Sequence, residues 1–334
     1  MLRSRLARCV GTVAGVALLL HGVDAGRAAQ GLAGADWRWL GGGLALTGLC
    51  LVGGAVAWGL LARAGGAAMS WSAIAGLYLQ GLFVGQLLPA GTGGDAVRGV
   101  AVGRQAGAGP ALGSLAGSRL VGTLGMALWG LAGAVILREA VGPMALTGAC
   151  IFALVLVISA VLALSADSVV RGLGGGRARW RSRLRRTLTP LASTLAGYRR
   201  RPHMVMQCAL LGVAAWGLNL CALTFFGRAV GVNVGWAVFA VTIPVTLTAT
   251  LVPFSANGVG VREGILVGLL AHAGVPTAHA AALAILVDLQ MLPFALLGAG
   301  VYLRGRRRTS ARAAVIVLEP VDAPALLATL PVAA

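Results

Sequence analysis

Two matching interruptions break an otherwise apolar chain, and they constrain its fold more than any other feature. The first runs Leu88-Pro89-Ala90-Gly91-Thr92-Gly93-Gly94-Asp95-Ala96-Val97-Arg98, and the second Val252-Pro253-Phe254-Ser255-Ala256-Asn257-Gly258-Val259-Gly260-Val261-Arg262-Glu263. Each has an apolar helix-like run, a proline, a glycine-rich loop, and then an acid and an arginine close together. Charge at membrane depth costs several kcal/mol unless it is buried in protein or lines a wet cavity. Broken helices carrying such groups in corresponding halves of a chain point to a transporter's substrate site.

The surrounding composition is that of an integral membrane protein. Hydrophobic residues make up 58% and charged residues 11%, against roughly a quarter charged in soluble domains. Met144 to Ser165 is 22 residues without a charge, enough to cross a hydrocarbon core of about 30 Å. All 27 basic residues are arginine, a genomic bias rather than a function. The net charge of +18 lies mostly in loops and tails. It suits anionic lipid headgroups; because the arginines flank membrane spans, a nucleic-acid partner is not expected. Cys9, Cys50, Cys150, Cys208 and Cys221 sit singly in apolar runs, as buried small hydrophobes do. The first apolar stretch follows Arg3, Arg5 and Arg8 and ends without a small-x-small cleavage site. It is expected to be an uncleaved helix rather than a signal peptide.

Hydropathy predicts spans at 9–25, 40–62, 111–137, 143–165, 204–227 and 279–303, with further apolar stretches at 69–88 and 235–252 running into the interruptions. Ten arginines in 171–201 and five from Arg304 to Arg312 place these segments, and both termini, in the cytoplasm by the positive-inside rule. Parity then requires 69–108 to enter and leave the membrane on the cytoplasmic side and 235–274 on the opposite side. Both read as re-entrant hairpins, with two crossings, the second a poor one, as the alternative for 69–108. The fold class is therefore an all-α polytopic membrane protein, with about six full transmembrane helices and two re-entrant helical hairpins. Residues 1–303 form one transmembrane domain, and 304–334 form a basic, then poorly ordered, cytoplasmic tail.

The halves align by spacing. Arg63 and Arg228, Pro89 and Pro253, Asp95 and Glu263, and Arg119 and Asp288 are separated by 165, 164, 168 and 169 residues. With opposite orientations, this is an inverted-topology repeat of about 40–137 and 204–303. Between them lies the basic loop 167–202. Trp180, Leu184, Leu188 and Leu191 recur at helical spacing there, so it reads either as an amphipathic helix on anionic lipid or as a plain positive-inside loop.

The candidate substrate-binding residues are Gly93, Gly94, Asp95, Arg98, Asn257, Gly258, Gly260, Arg262 and Glu263, with Pro89 and Pro253 as helix breakers. Glycines at 91–94 and 258–260 offer local unwinding, allowed at membrane depth where backbone is buried or lines water. Asp95 can cap a half-helix or pair with Arg98 at i, i+3. Arg262 and Glu263 are adjacent and point to different faces, so one can bind while the other braces. Arg98 and Arg262 suit phosphate through the guanidinium fork. Arg119 and Asp288, at corresponding positions, are expected to form an intramembrane ion pair, structural or gating. The histidines make no metal pattern, and no nucleotide-binding, zincin or nucleophile-elbow motif occurs. No catalytic residue, metal or cofactor is assigned.

At these residues the chain resembles a known family. LLPAGTGGDAVRG, SLAGSRLVGTLG and LVPFSANGVGVREGILVGLLAHAGV with a following ALAILVDLQ are similar to the transmembrane region of lysylphosphatidylglycerol synthases, which also occurs alone as flippase-like domain proteins. The resemblance covers roughly residues 10–303. It implies a lipid-translocation module of bacterial and archaeal inner membranes. In bifunctional members this region moves aminoacylated phospholipid made by a separate soluble domain. Only about 30 residues follow the last span here, so lysyl transfer by this chain is not expected. Standalone members are similar to components of lipid-linked glycan or hopanoid systems, so a separately encoded lipid-modifying enzyme is a possible partner. The expected function is non-enzymatic transport of a phospholipid or lipid-linked headgroup across the cytoplasmic membrane. The alternatives are a membrane transferase acting on phospholipid or polyprenyl phosphate, and an accessory subunit of a lipid glycosyltransferase.

Overall fold

The computed structural model describes residues 32–87, 92–139, 179–249 and 260–308. The expected spans at 9–25 and 143–165, together with Pro89, Pro253, Asn257 and Gly258, lie outside the described residues, as does the tail beyond 308. Within the described residues every regular element is helical. Helix α1 is Trp37–Ala64, α2 Trp71–Leu87, α3 Thr92–Ala106, α4 Ala108–Ile136 and α5 Arg179–Arg199. Then come α6 Pro202–Ala229, α7 Trp236–Ala249, α8 Val261–His272, α9 Thr277–Leu289 and α10 Leu292–Arg308.

Four segments are long and apolar enough to cross a membrane: α1, α4, α6, and α9 with α10 through Arg304. Each of the first three has 28 or 29 residues. At 1.5 Å per residue that is about 42 Å, longer than the hydrocarbon core. Less than two-fifths of each apolar window is buried. Leu49, Val52, Leu128, Leu210 and Leu296 point outward, an arrangement suited to lipid. The chain is a multi-pass membrane protein.

The spans pack through small residues, as apolar helices do when lipid removes the hydrophobic drive to associate. Gly42 and Gly43 of α1 leave room for the rings of Phe225 and Phe226 of α6. The N–H of Asp36, before α1, donates to the Ala229 carbonyl at the end of α6 at 3.1 Å. Cys208, near the start of α6, meets the Ala57 carbonyl near the end of α1. The two helices are therefore antiparallel. Gly125 and Gly212 bring α4 equally close to α6.

Two short hairpins complete the bundle. Helices α2 and α3 have 17 and 15 residues, and α7 and α8 have 14 and 12. Their lengths, about 18–25 Å, fall short of the core thickness. Helix α2 rests on α10, where Gly298 meets Leu79 and Phe83 meets Tyr302. Helix α7 rests on α4, where Gly133 meets Ala237 and Ala240 and Trp129 meets Trp236. Each hairpin thus leans on the last span of the other half. Glycines with positive φ recur at the repeat offset: Gly66 (100°) with Gly231 (79°), and Gly107 (88°) with Gly274 (85°). L-residues with a side chain are strained in that region.

The last predicted span, 279–303, is broken at Gln290 and Met291. Pro293 explains it: proline has no N–H to donate, and its ring crowds the carbonyl four residues back. Gln290 is buried there and accepts from the Thr47 hydroxyl at 3.1 Å. In the basic loop, 179–199 is a helix whose Ala192, Leu195 and Tyr198 are buried against the bundle. The Tyr198 hydroxyl donates to the Leu61 carbonyl at 2.9 Å. Burial holds its phenol above the ordinary tyrosine range, so it remains a neutral donor.

Candidate functional site

Two charged clusters lie where the second helix of each hairpin meets the next span. Helices α3 and α4 run antiparallel about the Gly107 turn, with Gly103 against Ala111 and Gly99 against Leu115. The next level up holds Asp95 and Arg119. Arg119 donates through Nη2 at 2.6 Å and Nε at 3.1 Å to Asp95 Oδ2. Arg98 Nη2 donates to the other carboxylate oxygen, Oδ1, at 2.6 Å, and its Nε reaches the Gly94 carbonyl at 3.3 Å. The Arg98 guanidinium also lies over the rings of Trp58 and Tyr78, 5.7 and 5.0 Å from their centroids, a favourable cation–π arrangement. Its side chain is 15% exposed, whereas that of Arg119 is 66% exposed.

The second cluster is built the same way with the charges reversed. Gly260, at φ 86°, starts α8, and its N–H donates to Glu263 Oε2. Glu263 therefore caps the helix. Its other oxygen accepts from Arg262 Nε at 3.3 Å. Arg262 Nη2 forms an ion pair with Asp288 Oδ1 on α9. Arg262, Glu263, Asp288 and Thr246 line a cavity of about 50 Å³ with apolar neighbours including Ile243 and Leu266. That exceeds the space one water needs.

The expected Arg119–Asp288 pair is corrected by this geometry. Each residue is paired inside its own half: Arg119 with Asp95, and Asp288 with Arg262. The antiparallel turn sets each pair of partners at one level, which a match of sequence offsets does not do. Gly93 and Gly94 are a second correction, because they do not form an unwound loop. Both are helical and buried in the first turn of α3. A Cβ at Gly94 would stand 2.9 Å from the Gly81 carbonyl, and one at Gly93 would run into the Val84 carbonyl. They let α3 approach α2. Of the adjacent pair, Glu263 is the brace and Arg262 the more open group, although their side chains touch.

The sequence reading missed Trp58 and Tyr78, which wall Arg98. No spacing relates these rings to Arg98; packing of α1 and α2 brings them there. A legible signal for the true pairs did exist. Asp95 and Arg119 each lie twelve residues from Gly107, and Arg262 and Asp288 lie twelve and fourteen from Gly274. His279 bonds the Val230 carbonyl through Nδ1 at 2.6 Å. Among the described residues, no three of His, Cys, Asp and Glu come together as a metal-binding group.

No curated protein matches the chain. A family model described as "Lysylphosphatidylglycerol synthase TM region" matches residues 5–299, which takes in both hairpins, both clusters, three of the four described spans and most of the fourth. By that match, the chain belongs to the lysylphosphatidylglycerol synthase TM region family.

Proposed function

We propose that this chain is a non-enzymatic lipid transporter that carries a phospholipid or lipid-linked headgroup between leaflets of the cytoplasmic membrane. The observation that carries this reading is the pair of equivalent ion pairs at the hairpin tips. Arg119 and Asp288 each lie eleven residues beyond the start of their helices, Ala108 and Thr277. That is about 16 Å along the axis, near the middle of a hydrocarbon core of about 30 Å. Charge at that depth marks a pathway more often than a scaffold.

In this reading α2–α3 and α7–α8 are re-entrant hairpins entering from opposite sides, and the halves form an inverted repeat. Their short lengths, the exchange of packing partners and the repeated positive-φ glycines support it. The arginine-rich helix α5 and the end of α10 face the cytoplasm, with both termini. The headgroup moves between the two clusters while its acyl chains stay in lipid. Movement is passive or ion-coupled, and a separately encoded enzyme supplies the lipid.

The test is reconstitution of the purified chain into liposomes carrying fluorescent phospholipid, read by the fraction accessible to an external quencher. Exchange between leaflets faster than in protein-free vesicles, and slowed by Arg262→Ala, is expected. If neither phospholipids nor polyprenyl-linked lipids exchange faster than in empty vesicles, the reading fails.

A further inference from the structure

The two arginines of the first cluster are in different states. Arg98 is committed: its Nη2 holds Asp95, its Nε holds the Gly94 carbonyl, and its plane lies over Trp58 and Tyr78. Arg119 puts Nε and Nη2 on a single oxygen of Asp95. Its Nη1 has no partner among the described residues, and its side chain is 66% exposed. An open guanidinium edge thus stands at mid-span, where an uncompensated charge is costly.

Formal charge sets what can compensate it. Asp95 with Arg98 and Arg119 carries one net positive charge. Arg262 with Glu263 and Asp288 carries one net negative charge, so Arg262 is already more than balanced and its cluster repels anions. We infer that Arg119, rather than Arg98 or Arg262, is the contact for a phosphate oxyanion of one net negative charge, and that the Asp95–Arg98–Arg119 cluster discriminates against diphosphates. One negative charge brings the cluster to neutrality, the cheapest state in a low-dielectric site. A diphosphate leaves surplus negative charge there. The planar fork suits the task, because it can grip Asp95 with one edge and offer the other to phosphate. Arg98 is then a positioning residue that holds Asp95 in place.

The inference rests on the transport reading for the depth of the site, but its test is one of binding. The purified full-length chain in detergent is titrated calorimetrically with dihexanoyl phosphatidylglycerol, with geranyl diphosphate, and with dihydrogen phosphate at mildly acidic pH. Arg119→Gln is expected to weaken phosphatidylglycerol at least about tenfold, and Arg119→Lys to weaken it less. Arg119→Gln should fold, because Asp95 keeps Arg98. Asp95→Asn raises the cluster to two positive charges, so the ratio of diphosphate to phosphodiester affinity should rise about tenfold. Comparing ratios removes the difference between the two apolar tails. Competition by dihydrogen phosphate, also lost in Arg119→Gln, means that the site reads the free ion as well as the headgroup. Arg119-dependent lipid binding without such competition means that it reads the headgroup alone. Unchanged binding by Arg119→Gln, or an unchanged ratio in folded Asp95→Asn, overturns the inference. Leaflet exchange by the wild type would then still uphold transport, and absence of exchange with Arg119-dependent binding would do the reverse.

Discussion

Asp95 and Arg119 stand at one level of two antiparallel helices, carboxylate to guanidinium 2.6 Å apart, because each lies twelve residues from the turn at Gly107. Arg262 and Asp288 pair likewise across the turn at Gly274, twelve and fourteen residues from it. In the first half the hairpin brings the acid and the span the base; in the second the signs are exchanged.

Asp95 serves two arginines of different burial, so their couplings to it should differ. The sheltered Arg98 pair should be worth about 1.5–3 kcal/mol as a charge-assisted bond. The Arg119 pair, whose side chain is the more open, should be worth less than the Arg98 pair. Arg119→Leu and Asp288→Leu share no partner and should add to within about 0.5 kcal/mol. Double-mutant cycles on detergent-solubilised protein measure all three. Strong coupling of Arg119 to Asp288 would contradict the pairing within halves.

Glycines at helix contacts should separate into two classes. Gly93→Ala and Gly298→Ala drive a methyl into the backbone carbonyls of Val84 and Leu79, which cannot rotate away. Each should lose about 1–3 kcal/mol. Gly268→Ala on α8 meets open space and should be neutral or gain up to about 1 kcal/mol from helix propensity. Thermal denaturation of the three variants decides it; equal effects would contradict the close packing of α2 on α3 and α10.

Glu263 acts here as a helix cap, so the shape of its replacement matters more than its charge. Glu263→Gln keeps an acceptor for the Gly260 N–H, whereas Glu263→Ala removes it. The alanine variant should lose about 0.5–2 kcal/mol and the glutamine variant less. Hydrogen exchange at the Gly260 amide gives a second readout: faster exchange is expected in the alanine variant. Equal loss in both would make the bond to Arg262 the more important one.

Opposite entry of the hairpins predicts a labelling pattern. On a background without native cysteines, single cysteines at positions 66 and 107 should react only from the cytoplasmic side. Those at 231 and 274 should react only from outside. Glycines occupy all four turns, so loss of the positive-φ conformation should cost about 1–2 kcal/mol at each, and the check on folding is made first. Labelling of position 107 from outside would break the parity on which the inverted repeat stands.

Hydropathy and local chemistry determined much of this protein without tertiary help. A run of apolar residues long enough to cross lipid must be a helix, because no other open structure satisfies its backbone there. Ends within three residues at α1, α4 and α6 were therefore readable, as were the two interruptions and their common offset. The break at Gln290 was readable too, from Pro293, yet hydropathy alone runs through it. Charge partners were not readable from the repeat offset, only from the distance of each residue to the turn beside it. Pairing depends on which helices face each other and at what level, and that was set by the turns at Gly107 and Gly274. Nor does composition separate a glycine that unwinds a loop from one that lets two helices touch. Gly93 and Gly94 became the second kind only because the backbone of α2 lies against them. The same packing brought Trp58 and Tyr78 over Arg98 and left Arg119 open. A side chain's neighbours are a property of the assembled bundle, and no local rule contains them.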